Sequence, residues 1–223
     1  MIHLIRLVVL GCFILVSTVT IARCDTSIPI VFVHGRNAGV GVWGPMIENL
    51  EENGFAADRL FVWEYDTSQS TNEVLAGQFS RYVESVIQKT GAFQINVVAH
   101  SLGSLPTRWY IKFGNGVGSV RNWISIAGPN HGTQAAWLCA LWDQGCRDMT
   151  PGSYVISHLN QEPPTPGPTQ YWTFWSSCDE QIAPPSSTAL SGGINTQTAC
   201  LKHNDLLTNR DVLDQVQSIL KTY

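Results

Sequence analysis

The segment Ile95-Asn-Val-Val-Ala99, followed at once by His100-Ser101-Leu102-Gly103, constrains this chain more than any other. The first five residues read as a short strand buried on both faces. Leu102 to Phe113 reads as a helix closed by Gly114. No loop residues separate the two, so the backbone must reverse sharply at Ser101. Ala99 and Gly103 flank that turn because larger side chains would clash there, and a serine so placed is lifted clear of the strand end. Ala99 stands where glycine is usual. The pentapeptide alone recurs by chance, and a serine can also be an ordinary N-cap. Its place between strand and helix gives it weight.

The rest of the chain repeats this alternation. Ile28 to Val33 is a nearly all-apolar strand running into the loop His34-Gly35-Arg36-Asn37-Ala38-Gly39, about 65 residues before Ser101. Trp43, Met46, Ile47 and Leu50 recur at helical spacing before Gly54, and Trp43 is expected in the core. Leu60 to Tyr65 is a second strand, and Asn72 to Thr90 an amphipathic helix stopped by Gly91. Val120 to Ala127 and Tyr171 to Trp175 are further strands. Thr208-Asn-Arg-Asp211 suggests a capping box opening a last helix with Val212, Val216, Ile219 and Leu220 inward. Such alternation predicts an α/β fold, a compact, mainly parallel central sheet flanked by helices. Residues 133–170 break the rhythm, and Glu162-Pro-Pro-Thr-Pro-Gly-Pro168 must be loop. Pro106 is expected to cost the helix after Ser101 a hydrogen bond or to kink it. No repeat or interdomain linker is visible, so residues 25–223 are expected to form a single domain.

Residues 1–24 form a secretory signal pattern: Arg6, an apolar run from Leu7 to Ile21, then small residues that allow cleavage after Ala22 or Cys24. The run is short for a stable membrane span. Arg23 disfavours lipid attachment at Cys24. An extracellular location follows as an expectation. Loss of Arg6 and Arg23 lowers Lys+Arg from 13 to 11 against 17 Asp+Glu, and no basic block occurs, which argues against nucleic acid as partner. Beyond Cys24 the cysteines are Cys139, Cys146, Cys178 and Cys200. In an oxidising compartment these imply two disulfides. Cys139–Cys146, closing a small loop, with Cys178–Cys200 is the pairing expected among three connectivities. Cys200-Leu-Lys-His203 has metal-like spacing but lacks a paired CxxC set, so neither metal nor cofactor is expected.

His34-Gly35, Ala99-His-Ser-Leu-Gly103 and Ile126-Ala-Gly-Pro-Asn-His-Gly132 resemble segments of small bacterial lipases. Cys146-Arg-Asp-Met-Thr-Pro-Gly-Ser153, Thr165-Pro-Gly-Pro168 and Ser176-Ser-Cys-Asp179-Glu180 resemble the lipase class 2 family more specifically. The likeness runs from about Ile28 to the final helix. It implies an α/β-hydrolase fold and the chain order nucleophile, acid, histidine. Ser101 is then the nucleophile, Asp179 the acid after a late strand, and His203 the base before the last helix. Glu180 is the main rival acid, with Asp143 and Asp148 behind it; His131 and His158 are rival bases. The resemblance further implies that the backbone N–H groups of Arg36 and Leu102 form the oxyanion hole. The Arg36 side chain itself can be read as a solvated loop charge.

Hydrolysis of carboxylic esters is therefore expected, with acylglycerols as the substrates the family implies. The partner would be an ester or lipid, at an oil–water interface where the lipid aggregates, and the protein is expected to act as a monomer. A short-chain carboxylesterase or polyester hydrolase would use the same residues. A catalytically silent, hydrolase-like binding protein is the reading from another class. Ala136-Trp-Leu-Cys-Ala-Leu-Trp142 is a dense apolar patch that reads equally as an acyl-binding wall, a short lid or a satellite core.

Overall fold

A computed structural model describes residues 28–67 and 71–221; the expected signal segment and Cys24 lie outside them. Six strands form one parallel sheet in the order β2-β1-β3-β4-β5-β6. They are β1 Ile30–Val33, β2 Leu60–Trp63, β3 Ile95–His100, β4 Val120–Ile126, β5 Gln170–Trp175 and β6 Ile194–Gln197. The helices are α1 Gly44–Glu52, α2 Asn72–Thr90, α3 Ser104–Phe113, α4 Gln144–Met149, α5 Tyr154–Leu159 and α6 Arg210–Lys221. The expected α/β architecture is present.

Strand side chains alternate between faces, and both faces of this sheet are covered. Ile30, Phe32, Val98, Ile124 and Phe174 pack with Met46 and Leu50 of α1 and with Val212, Val216 and Leu220 of α6. Their sequence neighbours Val31, Val33, Val97, Ala99 and Trp123 pack with Leu75, Phe79 and Val83 of α2 and Tyr110 and Ile111 of α3. This two-sided burial is why β1 and β3 read as continuous apolar runs. Trp43 is fully buried, its ring 5.2 Å from that of Phe32, as expected of a core residue.

One strand goes beyond the sequence reading, and two local expectations are corrected. β6 carries the polar sequence Ile-Asn-Thr-Gln at the sheet edge, mostly exposed, so it lacks the apolar signal of the inner strands. The last helix is capped one residue later than Thr208: Asn209 Oδ1 accepts the Val212 N–H at 3.3 Å, while Thr208 Oγ1 donates to the Asp205 carbonyl. Pro106 costs α3 no hydrogen bond. A 3-10 turn at Ser101–Gly103 precedes α3, and the Ser104 N–H already donates to the Leu102 carbonyl. Pro106 thus sits in the first turn of α3, where an N–H has no helical acceptor to lose.

Residues 133–170 contain α4 and α5, and the Pro-rich segment is loop as expected. Met149, Val155, Ile156 and Leu159 build a small third core against Leu102 and Leu105. Arg108 of α3, fully buried, fastens this region. Its Nη2 donates to the carbonyls of Leu159 (2.8 Å) and Pro164 (3.0 Å) and to Asn160 Oδ1 (3.0 Å). Burial draws its pKa down to about 10, so it remains a cation at neutral pH. Arg108→Met keeps the stem but leaves buried carbonyls unpaired. A loss of about 2–4 kcal/mol in unfolding free energy is expected from guanidinium titration; an unchanged midpoint would mean that Arg108 does not fasten the insertion.

Candidate active site

Because every strand is parallel, the loops after β1, β3, β4 and β5 gather at one end of the sheet. There β3 turns into the Ser101 helical turn. Ser101 adopts φ 52°, the left-handed region that a non-glycine residue occupies only when its surroundings force it. The two glycines beside it are required by contact. A Cβ on Gly103 would lie 2.6 Å from the His34 carbonyl oxygen, and one on Gly35 would lie 2.8 Å from Ser101 Cβ. The first loop is thereby pressed onto the turn, and Ala99 is tolerated because its methyl points into the core.

The loop after β1 is held from behind. The Tyr65 hydroxyl, just past β2, donates to the His34 carbonyl at 2.7 Å, and its ring stacks on His34 and on Trp63. On the other side Arg36 Nε donates to Asp143 Oδ2 at 2.8 Å. Asp143 is buried, and its Oδ1 accepts the Cys146 N–H. The Arg36 side chain is therefore a clamp between the loop and the insertion, not a free solvated charge. That pairing spans 107 residues and left no sequence signal.

Asp179 and His203 come together. His203 Nδ1 lies 2.8 Å from Asp179 Oδ2 and 3.0 Å from Oδ1, with both residues buried. Asp179 Oδ1 also accepts the N–H groups of Gln181 (2.8 Å) and Ile182 (2.9 Å). An ionised carboxylate only accepts, so Nδ1 carries the proton and Nε2 is left basic. The loops bearing the two residues are joined by the Cys178–Cys200 disulfide. Ser176 joins them again, its Oγ accepting the N–H groups of Cys178 (3.1 Å) and Leu201 (2.8 Å). The other bridge is Cys139–Cys146, so both pairings are as expected. With Cys200 in a disulfide and His203 on Asp179, the spacing between them is not a metal pair.

The rivals have other partners. Glu180 is exposed and accepts the backbone N–H of His203 through Oε2 at 3.1 Å; burial, the largest single effect, is outweighed by that bond and neighbouring donors together, which hold its carboxyl below the usual range. Asp148 accepts the Asn72 N–H at the start of α2 (2.9 Å) and a bond from Gln144. His158 Nδ1 lies 2.8 Å from the Tyr154 carbonyl on α5, and the exposed His131 belongs to the turn after β4. His100 was not singled out from sequence. Its buried ring lies 4.7 Å from that of His203, and burial, with the adjacent His203, lowers its pKa to about 3, so it stays neutral.

Ser101, His203, Arg36 and His100 all line one cleft of about 820 Å³, walled by apolar groups such as Val42, Ala136 and Ile182. Thr133, also in the wall, ties the insertion to the Asp179 loop: its Oγ1 donates to the Gln181 carbonyl (2.8 Å) and accepts the Ala183 N–H (2.9 Å).

A parallel sheet, a strained serine between β3 and α3, and a His–Asp pair from later loops over the same cleft define the α/β-hydrolase class. The chain belongs to the lipase (class 2) family, an ester-hydrolase family, which it matches over residues 27–222. Solved structures of similar fold include the mature Bacillus licheniformis lipase BlEst2 (TM-score 0.73, 18% identity, covering 87% of this chain and 92% of that one). Aspergillus fumigatus lipase B (TM-score 0.75, 17% identity) covers 87% of this chain and 52% of its own. Phospholipase PlaB of Legionella pneumophila (TM-score 0.68, 14% identity) covers 87% and 59%. An Arabidopsis thaliana protein, lecithin-cholesterol acyltransferase-like 4, is 34% identical over 76 residues; that match is 33% of this chain and 14% of the relative's length.

Burial, opposed in part by its hydrogen bonds to Gln144 and Asn72, raises the Asp148 carboxyl from 3.8 to about 6. A carboxyl raised on folding adds stability that is full below its unfolded pKa and is lost as pH rises through the folded one. Relative to Asp148→Asn, the wild type should lose stability between pH 3.8 and about 6 and level off above. Urea midpoints measured across that window check this, and a constant difference would contradict it.

Proposed function

We propose that this protein is a secreted serine hydrolase that cleaves carboxylic esters, acylglycerols above all, through Ser101, His203 and Asp179. The observation that carries this reading is the buried Asp179–His203 pair, its carboxylate fixed by two N–H groups, over the same cleft as the strained Ser101. His203 Nε2 takes the Ser101 proton as Oγ attacks the ester carbonyl, while Asp179 holds the tautomer and stabilises the imidazolium. His203 then protonates the leaving alcohol. In the second half, water, deprotonated by His203, attacks the acyl-enzyme, the carboxylic acid leaves, and Ser101 recovers its proton.

The oxyanion of each tetrahedral intermediate needs donors aimed at it. The N–H groups of Arg36 and Leu102 are assigned this role. Leu102 is the second residue of the helical run that starts at Ser101, so its N–H has no helical acceptor. Arg36 follows Gly35, whose missing side chain lets the loop reach Ser101. The apolar walls suit an acyl chain. Residues 1–24 are proposed to direct export and then be removed, in keeping with two disulfides in the remainder.

A fluorophosphonate probe should label the wild type and leave Ser101→Ala unlabelled. Asp179→Asn should fold normally yet lose roughly 10⁴-fold in kcat on nitrophenyl butyrate, because the wrong His203 tautomer is then favoured. Folded wild-type protein that neither takes the probe nor turns over any nitrophenyl ester would instead favour a silent binding protein. Chain-length profiles with and without emulsified substrate separate a lipase from a short-chain esterase.

Cys178→Ser removes the covalent tie between the acid and base loops, leaving Ser176 to hold them. A fall of roughly 10- to 100-fold in kcat at a temperature where the variant stays folded is expected from a loosened His203. Unchanged turnover would show that Ser176 and the carboxylate contacts suffice.

A further inference from the structure

The apolar residues of the Cys139–Cys146 insertion do not share one fate. Ala136 and Cys146 enter the third core, where Met149 and Leu159 cover them. Trp137, Leu138, Leu141 and Trp142 point outward, with 60%, 80%, 89% and 70% of their surfaces exposed. These are four large apolar side chains within six residues, a concentration that soluble surfaces avoid unless something covers them. The patch is therefore neither a satellite core nor a closed lid over Ser101.

Four features say what it meets. First, it is free of charge. From Gly132 to Trp142 there is no ionisable side chain except the disulfide-bonded Cys139. Of the charged residues that follow, Asp143 is buried on Arg36 and Asp148 is buried, while exposed Arg147 bonds back to Gln144 and the Ala140 carbonyl. Second, several of its backbone N–H groups are bonded within the loop. The N–H of Ala140 donates to Ala136, and those of Trp142 and Asp143 donate to Cys139. Such a loop can enter an apolar medium without stranding these donors. Third, it is fixed by the disulfide at its base and the Arg36–Asp143 clamp, so it is presented without rearrangement. Fourth, it is continuous with the cleft: Leu138 and Cys139 belong to both the patch and the wall around Ser101.

We propose that residues 137–142 are a fixed wedge that docks the protein on an uncharged lipid surface and delivers an acyl chain along Leu138 into the cleft. Tryptophan suits the boundary, its indole sharing apolar body and polar N–H between the two phases. Leucine supplies the deeper contact. Within residues 132–148 no acid is exposed and Arg147 is the one exposed cation, which selects neutral over anionic lipid. The direction of delivery rests on the hydrolase reading above; the docking itself does not.

The test uses the Ser101→Ala protein, so that lipid is not consumed, with vesicles of phosphatidylcholine alone or mixed with phosphatidylglycerol. Flotation with the neutral vesicles is expected, and adding Leu141→Ser and Trp142→Ser should weaken partitioning by about tenfold or more. With Ser101 intact, the same two substitutions should leave turnover of soluble nitrophenyl butyrate within about twofold, as for other surface changes. Quenching of wild-type tryptophan fluorescence by phosphatidylcholine with brominated chains reports insertion without any variant. Partitioning indifferent to the substitutions, or seen only with the anionic lipid, would overturn the proposal. So would a wild-type dimer in sedimentation that Leu141→Ser and Trp142→Ser dissociate, since the patch would then cover itself. Failure of the wild type to cleave any soluble ester would instead strike the hydrolase reading and leave the vesicle result standing.

Discussion

The Gly103 α-carbon sits so close to the carbonyls of Val33 and His34 that a single methyl group would collide with both. That approach is the constraint on which the site depends. It brings the end of β1 against the start of α3, and it is possible only because β1 and β3 are paired and parallel, with Val33 beside Ala99. The same contact holds Ser101 in its left-handed conformation, which costs about 1–3 kcal/mol in local backbone energy. The two-sided core and the Tyr65–His34 bond supply the rigidity that offsets it.

Rigidity also reaches the residues that arrive later in the chain. Asp179 and His203 lie on loops without regular structure, yet their relative position is set by several kinds of bond. A disulfide, the Ser176 hydroxyl, the N–H groups of Gln181 and Ile182, and the Thr133 hydroxyl all converge on them. Loops positioned this densely behave as part of the scaffold. Pre-organised hydrogen bonds around a buried carboxylate are what let an imidazole hold one tautomer.

Much of this was legible in the chain itself, and the boundary is physical. Buried parallel strands announce themselves because both faces are apolar, so β1, β3 and β4 could be read directly. The edge strand β6 could not, since Asn195 and Gln197 carry no such pattern. The turn at Ser101 was legible because sterics demand small neighbours on either side. The chain order of Asp179 and His203 came from family likeness, while their contact is a matter of tertiary placement. Arg36–Asp143 and Arg108 with the carbonyls around Leu159 were invisible, because each joins residues more than 50 positions apart that no local pattern links. Pro106 misled for the opposite reason: the 3-10 turn moved it into a position where proline is tolerated.

The insertion after β4 resolves a competition between burial and exposure that periodicity cannot decide. Seven residues from Ala136 to Trp142 hold more apolar surface than the small third core can take up. The disulfide and the buried Asp143 clamp commit one side of the segment inward, and short-range geometry then forces the remainder out. Covering that remainder internally would need either a longer segment folding over it or movement of the loop into the cleft, and the clamp on Arg36 opposes the latter. An apolar ridge fixed at the rim of an apolar cleft is the consequence. The same constraint that holds the loop after β1 beside Ser101 thus also decides which way the tryptophans face.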